Sequence, residues 1–380
     1  MKLYPAGKLS PANREISYWS VAYRRLVSFH YMSKGEMRSM CFGMQKNNCR
    51  VVSGEDDFQS EVSVEKKVSL FLDSGAFSAW SLGSEIKLED YIAFIKQYKD
   101  YISIYAVLDV IGDAEGTWQN QKKMEEAGLH PLPCFHFGEP WRYLDRYIDQ
   151  YDYIALGGLA KKKGNSEMFE FLNACFDRIC DANGLPLVKV HGFGVTNFRA
   201  MSSYPWYSVD STTWLITSRM GSILVPQKLP NGEWDYLQIL PGKKTQKISV
   251  STVSPASAVP DAHISTLSRQ WKMRVDEWLE QHNSRLGKSR FCRVPANYVL
   301  QDGERWAKSV GVGEYEEEYE FAPPVAQDDK RYIEIIEEPG VCNDYVERDV
   351  LNAKYFKELE ARFPKWPWPW KRPALRSFGF

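Results

Sequence analysis

The 380-residue chain is 44% apolar and 26% charged, with a formal net charge of −1. That composition supports a large core, suits one barrel domain with an appendage, and excludes a protein that is basic throughout. The opening Met-Lys-Leu-Tyr-Pro-Ala-Gly lacks a signal-peptide apolar stretch and no run of about eighteen apolar residues occurs, so a soluble, cytoplasmic protein with no membrane partner is expected.

A polar lead-in is followed by a first candidate strand, Arg25 to Tyr31, and a clearer one, Lys67 to Leu72. From there the spacing of apolar residues alternates between two periods. It predicts a helix over 89–98, a strand over 102–108, a helix over 117–127 and a strand over 132–137. A helix over 140–150, a strand over 153–156, a helix over 167–181 and strands over 187–190 and 206–209 complete the series. Strand then helix, with connections too long for hairpins, implies a parallel sheet. No Gly-x-Gly-x-x-Gly follows the first strand, so the expected fold is a (β/α)8 TIM barrel rather than a nucleotide-binding doubly wound sheet.

Past Gly221 the pattern weakens. A hairpin around Pro230-Asn-Gly232, an amphipathic helix over 261–283 and a strand over 290–300 returning to the barrel are expected. An acidic, Tyr-bearing loop over 314–320 and a Trp/Pro-rich segment from Phe363 to Pro373 follow, the latter packing on the barrel rather than stacking on bases. The expected division is 1–66 for the N-terminal segment and first barrel elements, 67–300 for the barrel, and 301–380 for a C-terminal extension.

Seven cysteines, with no Cys-x-x-Cys, read as reduced thiols, and no metal site is expected. A nucleic-acid partner would have to meet local basic runs: Lys161 to Lys163, Lys243 and Lys244 with Lys247, or Lys365 to Arg376. The plainer reading of each run is solvated surface.

Three aspartates close apolar runs: Asp73 in Phe71-Leu-Asp-Ser-Gly-Ala-Phe77, Asp109 in Ile104-Tyr-Ala-Val-Leu-Asp, and Asp210 in Trp206-Tyr-Ser-Val-Asp-Ser. A charge at the edge of an apolar core is costly unless something meets it, and strand carboxyl ends converge at a barrel mouth. His136, Gly157 with Gly158, and His191 also stand at expected strand ends. Paired carboxylates allow double displacement at an anomeric carbon, and Asp, His and backbone amides can read a base edge. These residues alone do not choose between a sugar and a base. The competing structural readings are helix capping for Asp73 and Asp113, packing for the glycines and Phe77, and core positions for the histidines.

Leu72-Asp-Ser-Gly-Ala-Phe77 resembles the Asp-Ser-Gly-Gly-Phe signature of tRNA-guanine transglycosylases. Tyr153-Ile-Ala-Leu-Gly-Gly-Leu-Ala160 is similar to their Ile-Gly-Gly-Leu-Ala, His191-Gly-Phe-Gly-Val195 resembles their Met-Gly-Val-Gly, and Ser208-Val-Asp-Ser211 falls where they carry the nucleophile. The resemblance covers about residues 67–222, in the family's order. It implies Asp210 as nucleophile and Asp73 as general acid and base. It also implies base binding by Phe77, Asp109, His136 (where the family has glutamine), Gly157, Gly158, Leu159 and His191, and a polynucleotide contact by Arg219. No cofactor is implied. The family's Cys-x-Cys-x-x-Cys zinc subdomain is missing after Asp210, which shifts the resemblance toward a divergent virus-encoded or genomic-island branch. That branch replaces guanine in DNA by a 7-deazaguanine, such as the 7-cyano form, protecting the genome from restriction. The implied partners are DNA and a free 7-deazaguanine base, with a homodimer left open; tRNA as substrate, a glycoside hydrolase and a non-catalytic scaffold are the alternatives.

Overall fold

Most of the apolar runs between Leu26 and Asp210 form strands, and these pair in parallel. The computed structural model describes residues 1–9, 12–32, 34–52, 65–159, 165–240, 244–252, 263–295, 297–307 and 332–371. The chain divides into two units, Met1–Thr212 with the segment from Phe363, and Thr213–Arg362.

The first unit begins with β1 (Lys2–Pro5), α1 (Ala12–Val21), β2 (Arg24–Ser28), α2 (Lys34–Lys46), β3 (Cys49–Val51) and β4 (Lys66–Asp73). Next come α3 (Ala76–Ser81), α4 (Leu88–Gln97), β5 (Ile104–Tyr105), α5 (Ala114–Glu126), β6 (Cys134–His136) and α6 (Trp141–Gln150). It continues with β7 (Tyr153–Gly157), α7 (Asn165–Ile179), β8 (Lys189–Gly192), α8 (Phe198–Ser203) and β9 (Ser208–Ser211). One parallel sheet has the order β1-β9-β8-β7-β6, and a second joins β2, β4, β3 and β5. Single parallel bridges connect Ala6 with Leu26 and Ala106 with Leu132. The unit is therefore mixed α/β on parallel strands, as the alternating periods imply.

Its strands carry apolar side chains on both faces, which is why they read as continuous runs rather than alternations. Val68, Leu70, Phe71, Ile154, Leu156, Val190 and Val209 are all shielded from solvent. One charged pair shares this interior: Arg25 Nη1 donates to Glu15 Oε2 at 2.6 Å and Nη2 donates to Gly7 O at 2.7 Å, so the buried guanidinium is satisfied.

The lead-in, read as polar and placed before the first candidate strand, itself begins with a strand, Lys2 to Pro5, with Tyr4 opposite Asp210 in the register. The Trp/Pro segment is non-helical over its described part and packs on this unit. Trp366 meets Tyr207 edge-on, and Trp370, 8% exposed, stacks near Tyr204.

The second unit contains α9 (Thr213–Arg219), β10 (Ser222–Val225), β11 (Gln227–Lys228), β12 (Trp234–Asp235), β13 (Gln246–Ser249), α10 (Arg269–Gln281), β14 (Lys288–Arg293), β15 (Glu304–Trp306), β16 (Tyr332–Glu338) and α11 (Tyr345–Arg362). The hairpin at Pro230-Asn-Gly232 is present between β11 and β12. The strand expected over 290–300 does not return to the parallel strands. It forms as β14 and pairs antiparallel with β16, where Phe291 is buried and faces Glu334 across the ladder. Lys161 to Lys163, Lys243, the acidic loop over 314–320 and the tail beyond Lys371 lie outside the described residues. All seven cysteines are unbridged. Among the described residues no helix is long and apolar enough to cross a membrane.

Candidate functional site

Parallel strands share a direction, so their carboxyl ends can present side chains to one space. In the first unit that space is a cavity of about 680 Å³, lined by Asp73, Phe77, Asp109, His136, Gly157, Gly158, Leu159 and Asp210 among others. Two expected residues lie elsewhere. His191 is fully buried and does not line the cavity, and Arg219 ends α9 in the second unit.

Asp73 is the last residue of β4. It does not cap α3, whose N-cap is Gly75 without a side-chain bond. Gly75 N–H instead donates to Asp73 Oδ2 at 3.2 Å. Gly75 adopts φ 75°, and a Cβ there would come within 2.4 Å of Ser28 Oγ, so the turn needs glycine. Burial, and then the charges of Asp109 and Asp210, raise the Asp73 carboxyl to about 7, against the opposing Gly75 amide and His136. It can therefore both give and take a proton near neutrality. Asp113, by contrast, is a cap: its Oδ1 accepts from Gly116 N–H at 3.0 Å at the start of α5.

Asp109 follows β5 and points one oxygen at a histidine. His136 Nε2 lies 3.5 Å from Asp109 Oδ2 and 3.4 Å from Cys134 Sγ. The other side of the ring is held by Glu139, whose Oε1 is 3.2 Å from Nδ1 while its Oε2 accepts the His136 N–H at 2.9 Å. Burial opposes a charge on His136, but Cys134 and Asp109 outweigh it and raise the ring well above its usual value. Burial pushes the Cys134 thiol up to about 12. Asp109 Oδ1 is buried with no partner among the described residues.

Gly157 makes room for this ring. A Cβ there would lie 2.6 Å from His136 Cδ2 and 2.8 Å from Nε2. Gly158 adopts φ 76°, where a side chain would be strained.

Asp210 lies inside β9, where Gly194 N–H donates to its Oδ1 at 2.7 Å. His191 Nε2 lies 3.5 Å from the same oxygen. Burial lowers His191 against the pull of Asp210, which keeps the ring neutral. Behind it, His191 Nδ1 meets Ser208 Oγ at 2.6 Å, and Ser208 Oγ meets Tyr153 OH at 2.5 Å. With the ring neutral, Nδ1 can accept from the Ser208 hydroxyl, which leaves the Nε2 proton on the side of Asp210. Three carboxylates around one cavity, one able to carry a proton near neutrality and one steered by an amide and an imidazole, can act as acid and nucleophile at one centre.

Comparison with protein-family models and with curated proteins finds no match. The site's geometry and the motif resemblance carry the functional reading.

Several contributors were not singled out from sequence. Cys134 stands two residues before His136 on the same strand, and that alternation alone places both on one face. Glu139 follows His136 by three residues across Phe-Gly, a spacing that returns its carboxylate to the ring. Lys8, Ser28 and Tyr31 also line the cavity, from elements read as lead-in or as a single longer strand.

Proposed function

We propose that the first unit closes as a (β/α)8 barrel and that its mouth exchanges guanine in DNA for a 7-deazaguanine base. Closure is supported by pairing: β1, β2, β4, β5, β6, β7, β8 and β9 each have a parallel neighbour on both sides once the bridges Ala6–Leu26 and Ala106–Leu132 are included.

The chemistry rests on one observation, that Asp73 and Asp210 line the same cavity with the Asp73 carboxyl raised to about 7. An Asp210 oxygen attacks C1′ of the nucleotide. The electron pair of the C1′–N bond leaves with guanine, and Asp73 supplies the proton. The incoming base gives its proton to Asp73, its nitrogen attacks C1′, and the Asp210 ester bond breaks. Two inversions give net retention, and no oxidant or energy source is required.

Base recognition falls to Asp109, whose buried Oδ1 needs an N–H donor that the described protein does not supply. That feature favours a base over a sugar, since a glycosidase would need only the carboxylate pair. Phe77 is 45% exposed and offers a face for stacking. Gly158 lines the cavity, and its amide would meet a base carbonyl there. A DNA substrate is favoured over tRNA by the missing zinc-subdomain motif, and the target guanine would have to leave the duplex stack to enter the cavity. Mass spectrometry of nucleosides from DNA and tRNA of cells expressing the chain with a 7-deazaguanine supply tests the reading. A 7-deazaguanine nucleoside in DNA supports it, one in tRNA alone moves the substrate to tRNA, and none in either overturns it.

A further inference from the structure

We propose that Asp109, Cys134 and His136 form a binding site for a single zinc ion. The inference rests on the donor set and does not depend on base exchange, although two of the ligands, Asp109 and His136, line the same cavity. With metal–ligand bonds of about 2.0–2.3 Å, tetrahedral ligands lie roughly 3.3–3.7 Å from one another. Cys134 Sγ and His136 Nε2 are 3.4 Å apart, His136 Nε2 and Asp109 Oδ2 are 3.5 Å apart, and the three donors lie within 4.8 Å of one another. The two spacings that involve Nε2 already match those around an ion, and the third needs at most a small closure of Asp109 toward Cys134.

The donor types are selective. Sulfur, imidazole nitrogen and one carboxylate oxygen suit a borderline transition cation and disfavour magnesium or calcium. The Glu139 carboxylate, 3.2 Å from His136 Nδ1, is the outer contact that orients a metal-bound imidazole. Alternation along β6 puts Cys134 and His136 on one face. Opposite them Gly157 leaves the space open: a Cβ would lie 2.8 Å from Nε2 and 3.1 Å from Sγ.

Charge argues the same way. Asp73, Asp109 and Asp210 line one cavity, and a dication would offset their mutual repulsion. On binding, the Cys134 thiol proton and the His136 Nε2 proton pass to solvent, three metal–ligand bonds replace three to water, and nothing is oxidised or reduced. Three protein ligands leave a fourth position for water or for a nitrogen or oxygen acceptor of a heterocyclic base. Asp109 Oδ1, buried and without a partner among the described residues, is not used by the metal. Without metal, the same 3.4 Å contact would be only a thiol–imidazole hydrogen bond.

The test uses the full chain, stripped with a chelator and titrated with Co²⁺ and then Zn²⁺. One equivalent of Co²⁺ should give a thiolate-to-metal charge-transfer band and intense tetrahedral absorption, both displaced by Zn²⁺. Cys134→Ser should remove the charge-transfer band, and Glu139→Gln should weaken Zn²⁺ binding about 10- to 100-fold. Thermal melts of the stripped variants establish folding. If Cys134→Ser is unfolded, the Glu139→Gln affinity decides, and an unchanged affinity overturns the site. Weak octahedral absorption, or a band that persists in folded Cys134→Ser, overturns it as well. Asp210→Asn should keep the band while losing base exchange, whereas a protein that exchanges bases without the band would refute the zinc site alone.

Discussion

His191 Nε2 lies 3.5 Å from Asp210 Oδ1, the oxygen that also accepts the Gly194 N–H at 2.7 Å. The amide holds one carboxylate oxygen and the buried ring stands beside it, so in the proposed mechanism Oδ2 is the oxygen left to attack. The ring is itself held through Ser208 and Tyr153, and it packs against Phe71 and Phe193 at centroid distances of 4.6 Å. His191→Phe preserves the packing and removes both ring nitrogens, the one beside Asp210 and the one that meets Ser208. It should slow single-turnover base exchange about 10- to 100-fold, with an unchanged KM for the free base and an unchanged pH limb from Asp73. A change confined to KM would contradict a positioning role.

The Asp73 carboxyl supplies a pH signature. Its folded value, about 7, stands above the ordinary 3.8, so folding favours the protonated form. The corresponding stability is complete below about 4 and is lost as pH rises through about 7. Asp73→Asn, which stays neutral, should match the parent near pH 4 and exceed it by roughly 2–4 kcal/mol above pH 8. Urea unfolding of both proteins at the two pH values measures this, and an equal difference at both would contradict it.

Much of the site was legible because a buried parallel strand leaves a plain trace: an apolar run that stops at a polar residue. Asp73, His136 and Gly157 each end such a run and each lines the cavity. His191 gave the same trace yet belongs behind the site, because a strand's last residues alternate between faces and the run does not say which face points inward. β1 was missed because four residues ending in proline are too few to establish a period, and their burial comes from pairing with β9, far along the chain. The strand over 290–300 was misassigned for a related reason. Its apolar content marks a strand, but its partner β16 is chosen by the fold of the second unit. The resemblance supplied roles for the aspartates, while the Cys134–His136–Glu139 cluster needed coordinates.

Gly157→Ala tests the space beside His136. The new methyl would meet the ring at 2.6 Å and the Cys134 sulfur at 3.1 Å, displacing the imidazole from Asp109. We expect a loss of about 1–3 kcal/mol in stability and at least a tenfold loss of affinity for the free base. Urea unfolding and calorimetric titration with a 7-deazaguanine base measure the two effects. Unchanged values in both would show that His136 is free to move.

The base-reading role proposed for Asp109 predicts that base binding and backbone binding respond differently to its loss. Replacing it by alanine removes the buried Oδ1 acceptor. Affinity for the free base should fall about 10- to 100-fold, while binding of a DNA duplex changes less than twofold. Equal losses for both ligands would argue against a base-reading role.

The proposed mechanism turns on a covalent bond between Asp210 and C1′. Full-length protein is incubated with labelled guanine-containing duplex DNA, quenched in denaturant, and resolved for a protein–DNA adduct alongside free guanine. An adduct is expected that forms with guanine release, disappears on addition of 7-deazaguanine, and is absent in Asp210→Asn. An adduct, or base exchange at the parental rate, in Asp210→Asn would contradict that mechanism.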